Sequence, residues 1–462
     1  MSDQPDVLIL GGGSGGYACA FRAAQLGKTV TLIEEDKVGG TCLHRGCIPP
    51  TKALVHAAEV ADTVTHASAL GIGATLDGID LGGVHAYKNA TVERLYNGLQ
   101  GLVRGHKIEV VHGTGRYGGG RTVHVGDRTI TGTSLVLATG SQVRSLPGLE
   151  IGGRILTSDE ALTFPELPKR VVVLGGGVIG GRIRQHLGIV GCRRHHRRSP
   201  APARRRRRRV VLEATHPGPP QTRHHHHDRH PIREGGPARE HGQRYGGVGR
   251  HDRGGPGARR GRPRTSDRRH RAHRERRRTR PPRGFVAVDD SLRTSQPDVY
   301  AVGDIVAGPQ LAHRGFQQGI FVAETIAGLS PAPVEDSGIP PRVTYSNPPE
   351  VASVGLTEDQ ARERHGDVAT VVYDLAGNGK SQILGTSGGV KLVRAGATEG
   401  PVVGIHMVGE RVGELIGEAQ LIVNWGAYPD EVATLVHAHP TQAEALGEAH
   451  LALAGTPLHS HS

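Results

Sequence analysis

The 462-residue chain is poor in cysteine and aromatic residues, with four Cys, one Trp, five Phe and nine Tyr. Four cysteines are too few to staple a secreted disulfide scaffold, so any pair among them is expected to be catalytic or metal-binding. The chain also lacks any uncharged apolar run near the ~18 residues needed to cross a bilayer. Its first residues, MSDQPDVLIL, carry no cationic n-region of a secretory signal. Collagen, coiled coil and secreted knot are excluded, and a cytoplasmic protein with no membrane partner is expected. At ~100–200 residues per domain the length corresponds to about three domains.

Lysine is missing from one long stretch. Residues 181–283 hold 32 Arg, no Lys and seven acids, a local net charge of +25, and thirteen of the 28 His. The remainder carries 25 bases and 37 acids, a net charge of −12. The overall +13 and the pI near 9.9 would ordinarily point to nucleic acid or an anionic membrane. Here they average two different compositions.

What is present begins with a legible alternation. The apolar run Val7-Leu8-Ile9-Leu10 leads into Gly11-Gly12-Gly13-Ser14-Gly15-Gly16, a helical stretch to Leu26, Gly27 as a stop, and Val30-Thr31-Leu32-Ile33-Glu34. This is a βαβ unit. Gly11 permits a tight turn, Gly13 lets the backbone approach a pyrophosphate, Gly16 allows close helix packing, and Glu34 ends the second strand where a ribose hydroxyl sits. The pattern recurs at Arg170–Leu174 followed by Gly175, Gly177 and Gly180, so two dinucleotide sites are expected.

Between the first βαβ unit and the next helix lies Gly39-Gly40-Thr41-Cys42-Leu43-His44-Arg45-Gly46-Cys47-Ile48-Pro49. A C-x4-C opening a helix puts two sulfurs within disulfide reach, and a helix N-terminus favours the thiolate. No second cysteine pair completes a zinc site, so no metal is expected. GGTCLHRGCIP after an N-terminal GxGxxG resembles the flavin-dependent pyridine nucleotide-disulfide oxidoreductases. Within them it is most similar to the dihydrolipoamide dehydrogenases, because His437-Ala438-His439-Pro440-Thr441-Gln442-Ala443-Glu444 follows their HxHPTxxE. Ala138-Thr139-Gly140-Ser141, Val299–Asp304 and Gln310–His313 also match, and the likeness spans about residues 5–180 and 284–458.

The resemblance implies an α/β fold with two Rossmann-like dinucleotide-binding domains, for FAD and for NAD, and an α+β C-terminal dimerisation domain. The FAD domain would comprise 1–145 and 284–335, the NAD domain 146–283 and the interface domain 336–462. The implied activity is oxidation of protein-bound dihydrolipoamide with reduction of NAD, by a homodimer serving the lipoyl domain of a 2-oxoacid dehydrogenase complex. Cys42 would exchange with the lipoyl disulfide, and Cys47 would be the thiolate facing the flavin. His439, from the other subunit, would be the acid and base, and imidazole suits proton transfer near neutrality. Glu444 would hold its tautomer. Asp304 would bind the flavin ribitol with the Ala312 backbone nearby, Glu34 the adenosine ribose, and Gly115 would approach the adenine, with Thr139 and Gly140 lining the same cofactor. Lys52 would approach the flavin, although Ile48-Pro49-Pro50-Thr51-Lys52 has one residue more than the family pattern. A related NAD(P)H-dependent disulfide or metal-ion reductase is the alternative enzyme reading.

After Gly180 the expected helix and second strand are missing, and Gly181 to Arg198 reads GRIRQHLGIVGCRRHHRR. When the last two bases of each codon are taken with the first of the next, these residues can spell VEFASIWASLGVDVTIVE, the missing half of a βαβ unit. In the same frame Ala258 to Thr265 can read LVAVGRGP, another family-like strand and turn. Residues 181–283 therefore read as an out-of-frame translation. As written, Arg182 replaces the family's glutamate and the NAD ribose acid is lost, so this chain is expected to hold FAD yet fail to reduce NAD. The competing reading, a basic nucleic-acid-binding segment, is disfavoured by the absence of Lys, the scarcity of aromatic residues and the lack of a fold.

Overall fold

The computed structural model describes residues 4–47, 49–143, 145, 148–166, 168–174, 193–197, 211–215, 284–334, 340–346 and 349–459, the side chains of 49–52, 193–197 and 211–215 excepted. Two units are distinguished, 1–217 with 280–462, and 218–279. The second lies outside the described residues.

The first unit opens with β1 (Val7–Leu10), α1 (Ser14–Gln25), β2 (Val30–Glu34), α2 (Pro49–His66), α3 (Leu81–Gly105), β3 (Glu109–His112), β4 (Gly115–Gly119), β5 (Thr122–Val125), β6 (Arg128–Thr131) and β7 (Ser134–Leu137). There follow β8 (Ile155–Leu156), α4 (Ser158–Ala161), β9 (Arg170–Leu174), β10 (Arg193–Arg197), β11 (Val211–Thr215), β12 (Val299–Ala301) and α5 (Ala312–Ile326). The C-terminal part holds β13 (Arg342–Thr344), β14 (Glu350–Gly355), α6 (Glu358–His365), β15 (Val368–Asp374), α7 (Gly379–Leu384), β16 (Gly389–Ala395), β17 (Val402–Gly409), α8 (Ile416–Trp425), α9 (Pro429–Ala433) and α10 (Glu444–Leu453).

Four consecutive buried apolar residues make β1 a strand covered on both faces, as in parallel sheets. It sits centrally in a five-stranded parallel sheet ordered β12-β7-β1-β2-β3. Strand order reverses beside β1, and the crevice at the carboxyl ends of such strands is where α/β sheets bind ligands. Helix α1 packs on α5 through small residues. A methyl at Gly319 would lie 2.3 Å from the Gly15 carbonyl oxygen and 2.8 Å from the Cys19 nitrogen, so the backbones approach closely.

A four-stranded sheet is ordered β10-β9-β11-β8. Here the structure corrects the sequence reading, because a strand follows the second glycine fingerprint. Residues Arg193–Arg197 pair in parallel with Arg170–Leu174, Arg193 opposite Arg170. Ladder hydrogen bonds use only backbone groups, so an Arg- and His-rich segment can occupy a slot whose composition argues against it. The same five positions read DVTIV in the shifted frame.

The C-terminal part is a five-stranded antiparallel sheet, β13-β14-β17-β16-β15. Its core gathers Ala352, Val354, Leu392 and Ile405 from strands with Ala419, Ala445 and Leu446 from helices. His450 of α10 is fully buried. Its Nδ1–H donates to the Leu446 carbonyl at 2.6 Å, and Nε2 has no hydrogen-bond partner. Burial pushes its pKa down to about 4. A histidine depressed in the folded state contributes stability that is whole above its unfolded value of ~6.5 and is lost as pH falls through the folded value; the difference corresponds to about 3 kcal/mol. Urea unfolding followed at Trp425, the single tryptophan, should therefore show this domain weakening from pH 7 to pH 4. His450→Leu should flatten that slope.

Candidate active site

The glycine loop after β1 is shaped for a phosphate group. Gly11 has φ of +103°, and a Cβ there would lie 2.4 Å from the Ala138 carbonyl oxygen. At Gly16 a Cβ would meet the Gly11 carbonyl oxygen at 1.8 Å, which explains the third glycine as helix-to-strand packing. Gly13, the N-cap of α1, faces open space, and the helix start has neither a side-chain cap nor an acid in its first turn. Its amides are therefore available to an anion, and the cradle fits the pyrophosphate of FAD. The Glu34 carboxylate accepts from the Gly12 amide at 2.6 Å and the Asp36 amide at 3.0 Å, which fixes the acid at the rim.

The segment that leads into Cys42 and Cys47 rests directly on this loop. The Gly39 amide donates to the Gly12 carbonyl at 2.8 Å, and a Cβ on Gly40, whose φ is +56°, would lie 2.8 Å from the Gly13 Cα. Cys42–Gly46 forms a π-helical turn, closed by the Cys47 amide donating to the Cys42 carbonyl at 3.1 Å. Both cysteines are half-buried. His44 braces the turn, with its Nε2 at 3.0 Å from the Val38 carbonyl and its ring edge-on to Tyr96.

Tyr17, on the first turns of α1, was not singled out by sequence reasoning. Its ring packs between Phe21 and Phe316. Burial, and then the charge that Cys42 and Cys47 carry when ionised, pushes its phenol up to about 12, so it stays neutral. Only its position four residues past Gly13 could have drawn attention to it.

Thr139 and Gly140 follow β7, and Ser141 Oγ donates to Asp304 Oδ2 at 2.7 Å, joining the ends of the neighbouring strands β7 and β12. The turn holding Asp304 is fixed by two residues that the motifs do not reveal. The Gly303 amide donates to Gln318 Oε1 at 2.8 Å, and buried Arg314 donates to the carbonyls of Gly303, Pro309 and Ala307. Ala312 begins α5. At Gly115 a Cβ would lie 2.4 Å from Leu10 Cδ1 and 3.0 Å from Ile33 Cγ2, so this glycine packs closely against β1 and β2. Lys52 lies in the first turn of α2, which starts at Pro49, and both prolines fall where a missing N–H costs no helical hydrogen bond. Gly175, Gly177 and Gly180 lie outside the described residues, as does the side chain of Lys52.

In the C-terminal part, His439 Nδ1–H donates to Glu444 Oε1 at 2.8 Å, while the Thr441 amide donates to Glu444 Oε2 at 2.7 Å. That arrangement leaves Nε2 to accept a proton. Burial alone would raise the Glu444 pKa, but the Thr441 amide and the His439 imidazole outweigh it and hold the carboxyl below the usual range. The His439 side chain is 79% exposed.

The sequence matches the family described as pyridine nucleotide-disulphide oxidoreductase over residues 5–211 and 268–319, and its dimerisation domain over 340–450. The chain belongs to this family. A dihydrolipoyl dehydrogenase of Bacillus subtilis is 33% identical over 99% of this chain and all of its own length. Dihydrolipoyl dehydrogenases of Geobacillus stearothermophilus and Pseudomonas aeruginosa are 34% and 36% identical, each over 99% of this chain and 97% and 99% of their own. The crystal structure of LpdA from Mycobacterium tuberculosis shares the fold, with a TM-score of 0.72 over 97% of this chain and 99% of its own at 19% identity. Membership makes FAD and NAD the cofactors of this pyridine nucleotide-disulphide oxidoreductase, and residues 340–450 its dimerisation domain. Among the described residues no helix is long and apolar enough to cross a membrane.

Proposed function

We propose that the chain is a dihydrolipoyl dehydrogenase, a homodimer that oxidises the dihydrolipoyl group on the lipoyl domain of a 2-oxoacid dehydrogenase complex in the cytoplasm. The observation that carries this reading is the Cys42–Cys47 turn seated on the dinucleotide loop of a chain that also holds the His439–Glu444 pair. Gly11, Gly13, Gly16, Glu34, Asp304, Ala312 and the Thr139–Gly140 turn would hold FAD, which when bound accepts the two electrons and passes them to NAD. With the cysteines oxidised, a substrate thiolate attacks Cys42 Sγ, the intramolecular S–S bond breaks, and Cys47 leaves as thiolate. The second substrate thiol, deprotonated by His439 Nε2 of the other subunit, attacks the substrate sulfur of the mixed disulfide. Cyclic lipoamide forms and Cys42 is released. Glu444 stabilises the imidazolium, and exposure of His439 in the single chain supports its use across a dimer interface.

The domain partition expected from the sequence belongs to the same proposal, with 181–283 an out-of-frame segment. Its support is the registration of Arg193–Arg197 with the shifted-frame strand, and a family match that enters the segment from both ends and leaves 212–267 uncovered. The test is to purify the chain as written beside one with the frame restored. Both should load FAD and be reduced by dihydrolipoamide, while only the restored chain should form NADH. NADH formation by the chain as written would overturn the out-of-frame assignment, and failure of both to accept electrons from dihydrolipoamide would overturn the substrate.

A further inference from the structure

The HxHPTxxE segment contains a second histidine that the proposed chemistry leaves unused. His437 lies two residues before His439, in a loop where its neighbours from Thr434 to Pro440 are exposed. Val436 is 98% exposed, whereas the His437 side chain is 13% exposed. His437 Nε2–H donates to Glu418 Oε1 of α8 at 2.8 Å. On its other side the ring occupies a notch in α10. A Cβ at Gly447 would lie 2.6 Å from His437 Nδ1 and 3.0 Å from Cε1, so any larger residue there displaces the ring. Glycine inside a helix is unfavourable by about 0.5–1 kcal/mol relative to alanine, and the close ring contact accounts for its presence at this point.

The charges facing His437 come from both helices. Glu418 of α8 favours its protonated form, with smaller contributions in the same direction from the Leu435 carbonyl and Glu444, while burial opposes it. His450 of α10 interacts electrostatically with both His437 and Glu418. The cationic ring in turn helps keep Glu444 ionised. His437 thus ties the loop to one helix by an ion pair and to the next by shape, one residue from the alanine that precedes His439.

We propose that His437, anchored on Glu418 and seated against Gly447, is a positioning residue that holds the His439–Glu444 pair in reactive geometry. This rests on the reading of His439 as the acid–base residue. The test is the anaerobic oxidation of dihydrolipoamide by the FAD-loaded full chain, followed by stopped flow in the flavin spectrum without NAD, so that the pyridine nucleotide site plays no part. A misplacement of about 1 Å can cost about 10²-fold, so His437→Ala and Glu418→Gln should each lower the limiting rate by about 10–100-fold. Half-saturation by dihydrolipoamide, FAD content and dimer mass should stay unchanged. His437→Gln, which keeps a donor toward Glu418, should recover part of the rate. If His439→Gln is slow while Glu418→Gln and His437→Ala react like the parent, the positioning role is overturned. If His439→Gln itself reacts normally, the underlying assignment fails instead. Where His437→Ala loses FAD, Glu418→Gln decides, since it removes the charge that pairs with His437 and leaves the loop sequence intact.

Discussion

Replacing Cys42 or Cys47 by serine is expected to abolish exchange with dihydrolipoamide, a loss of more than about 10⁴-fold, on the scale seen when a covalent nucleophile is removed. The Cys47 amide closes the π-helical turn on the Cys42 carbonyl, which brings the two side chains round to neighbouring positions at the edge of the glycine loop. A serine hydroxyl in either position cannot form the disulfide, and at neutral pH it is not ionised. The two variants should differ in one respect. In Cys47→Ser the remaining Cys42 should still attack a lipoyl disulfide and be trapped as a mixed disulfide, visible by mass. In Cys42→Ser the remaining Cys47, proposed to face the flavin, should not be trapped. Equal trapping in both variants would reverse or erase the assigned roles. Tyr17→Phe serves as a control, since it keeps the ring contacts with Phe21 and Phe316 while removing the phenol.

His439→Gln is expected to slow dithiol oxidation by about 10²–10⁴-fold, the usual contribution of a positioned acid–base group. Glu444→Gln should show a smaller loss in the same direction. The parent carboxylate is ionised throughout the neutral range, because the Thr441 amide and the imidazole overcome the effect of burial. The amide cannot stabilise the imidazolium in that way, and its orientation allows it to donate to the ring and invert the tautomer. The rate of flavin reduction by dihydrolipoamide checks both variants. A parent-like rate in His439→Gln would remove this residue from the mechanism. Mixing His439→Gln with Cys42→Ser chains tests the arrangement across the interface, because a fraction of the mixed dimers would recombine one intact cysteine pair with one intact histidine. Recovered activity on mixing is expected. Its absence would place the histidine and the cysteines of one active site in the same chain.

Several features of the site were readable in the sequence because each is encoded by contiguous residues obeying local rules. Gly11 has to adopt a positive φ, Gly16 has to let α1 approach β1, Cys42 and Cys47 have to lie five residues apart, and Glu444 has to reach back to His439 within one turn. Local spacing states each of these requirements. Burial of Val7–Leu10 on both faces was likewise legible as an uninterrupted apolar run. The sequence misjudged 193–197, since its composition of Arg and His opposes a strand while the pairing with β9 depends only on backbone groups.

What only the tertiary structure decided are the pairings between residues far apart in the chain. Ser141 meets Asp304 across 163 positions, Gln318 and Arg314 fix the turn that carries Asp304, and His437 finds both Glu418 and a notch made by a glycine in another helix. No local rule selects these partners. Each depends on how a sheet edge or a helix face is brought against another, which is set by burial of the whole apolar surface and not by any single stretch of sequence. The amino-acid sequence by itself therefore determined which chemical groups this protein carries and the short-range geometry around each, while the folded chain determined which distant residues hold those groups in place.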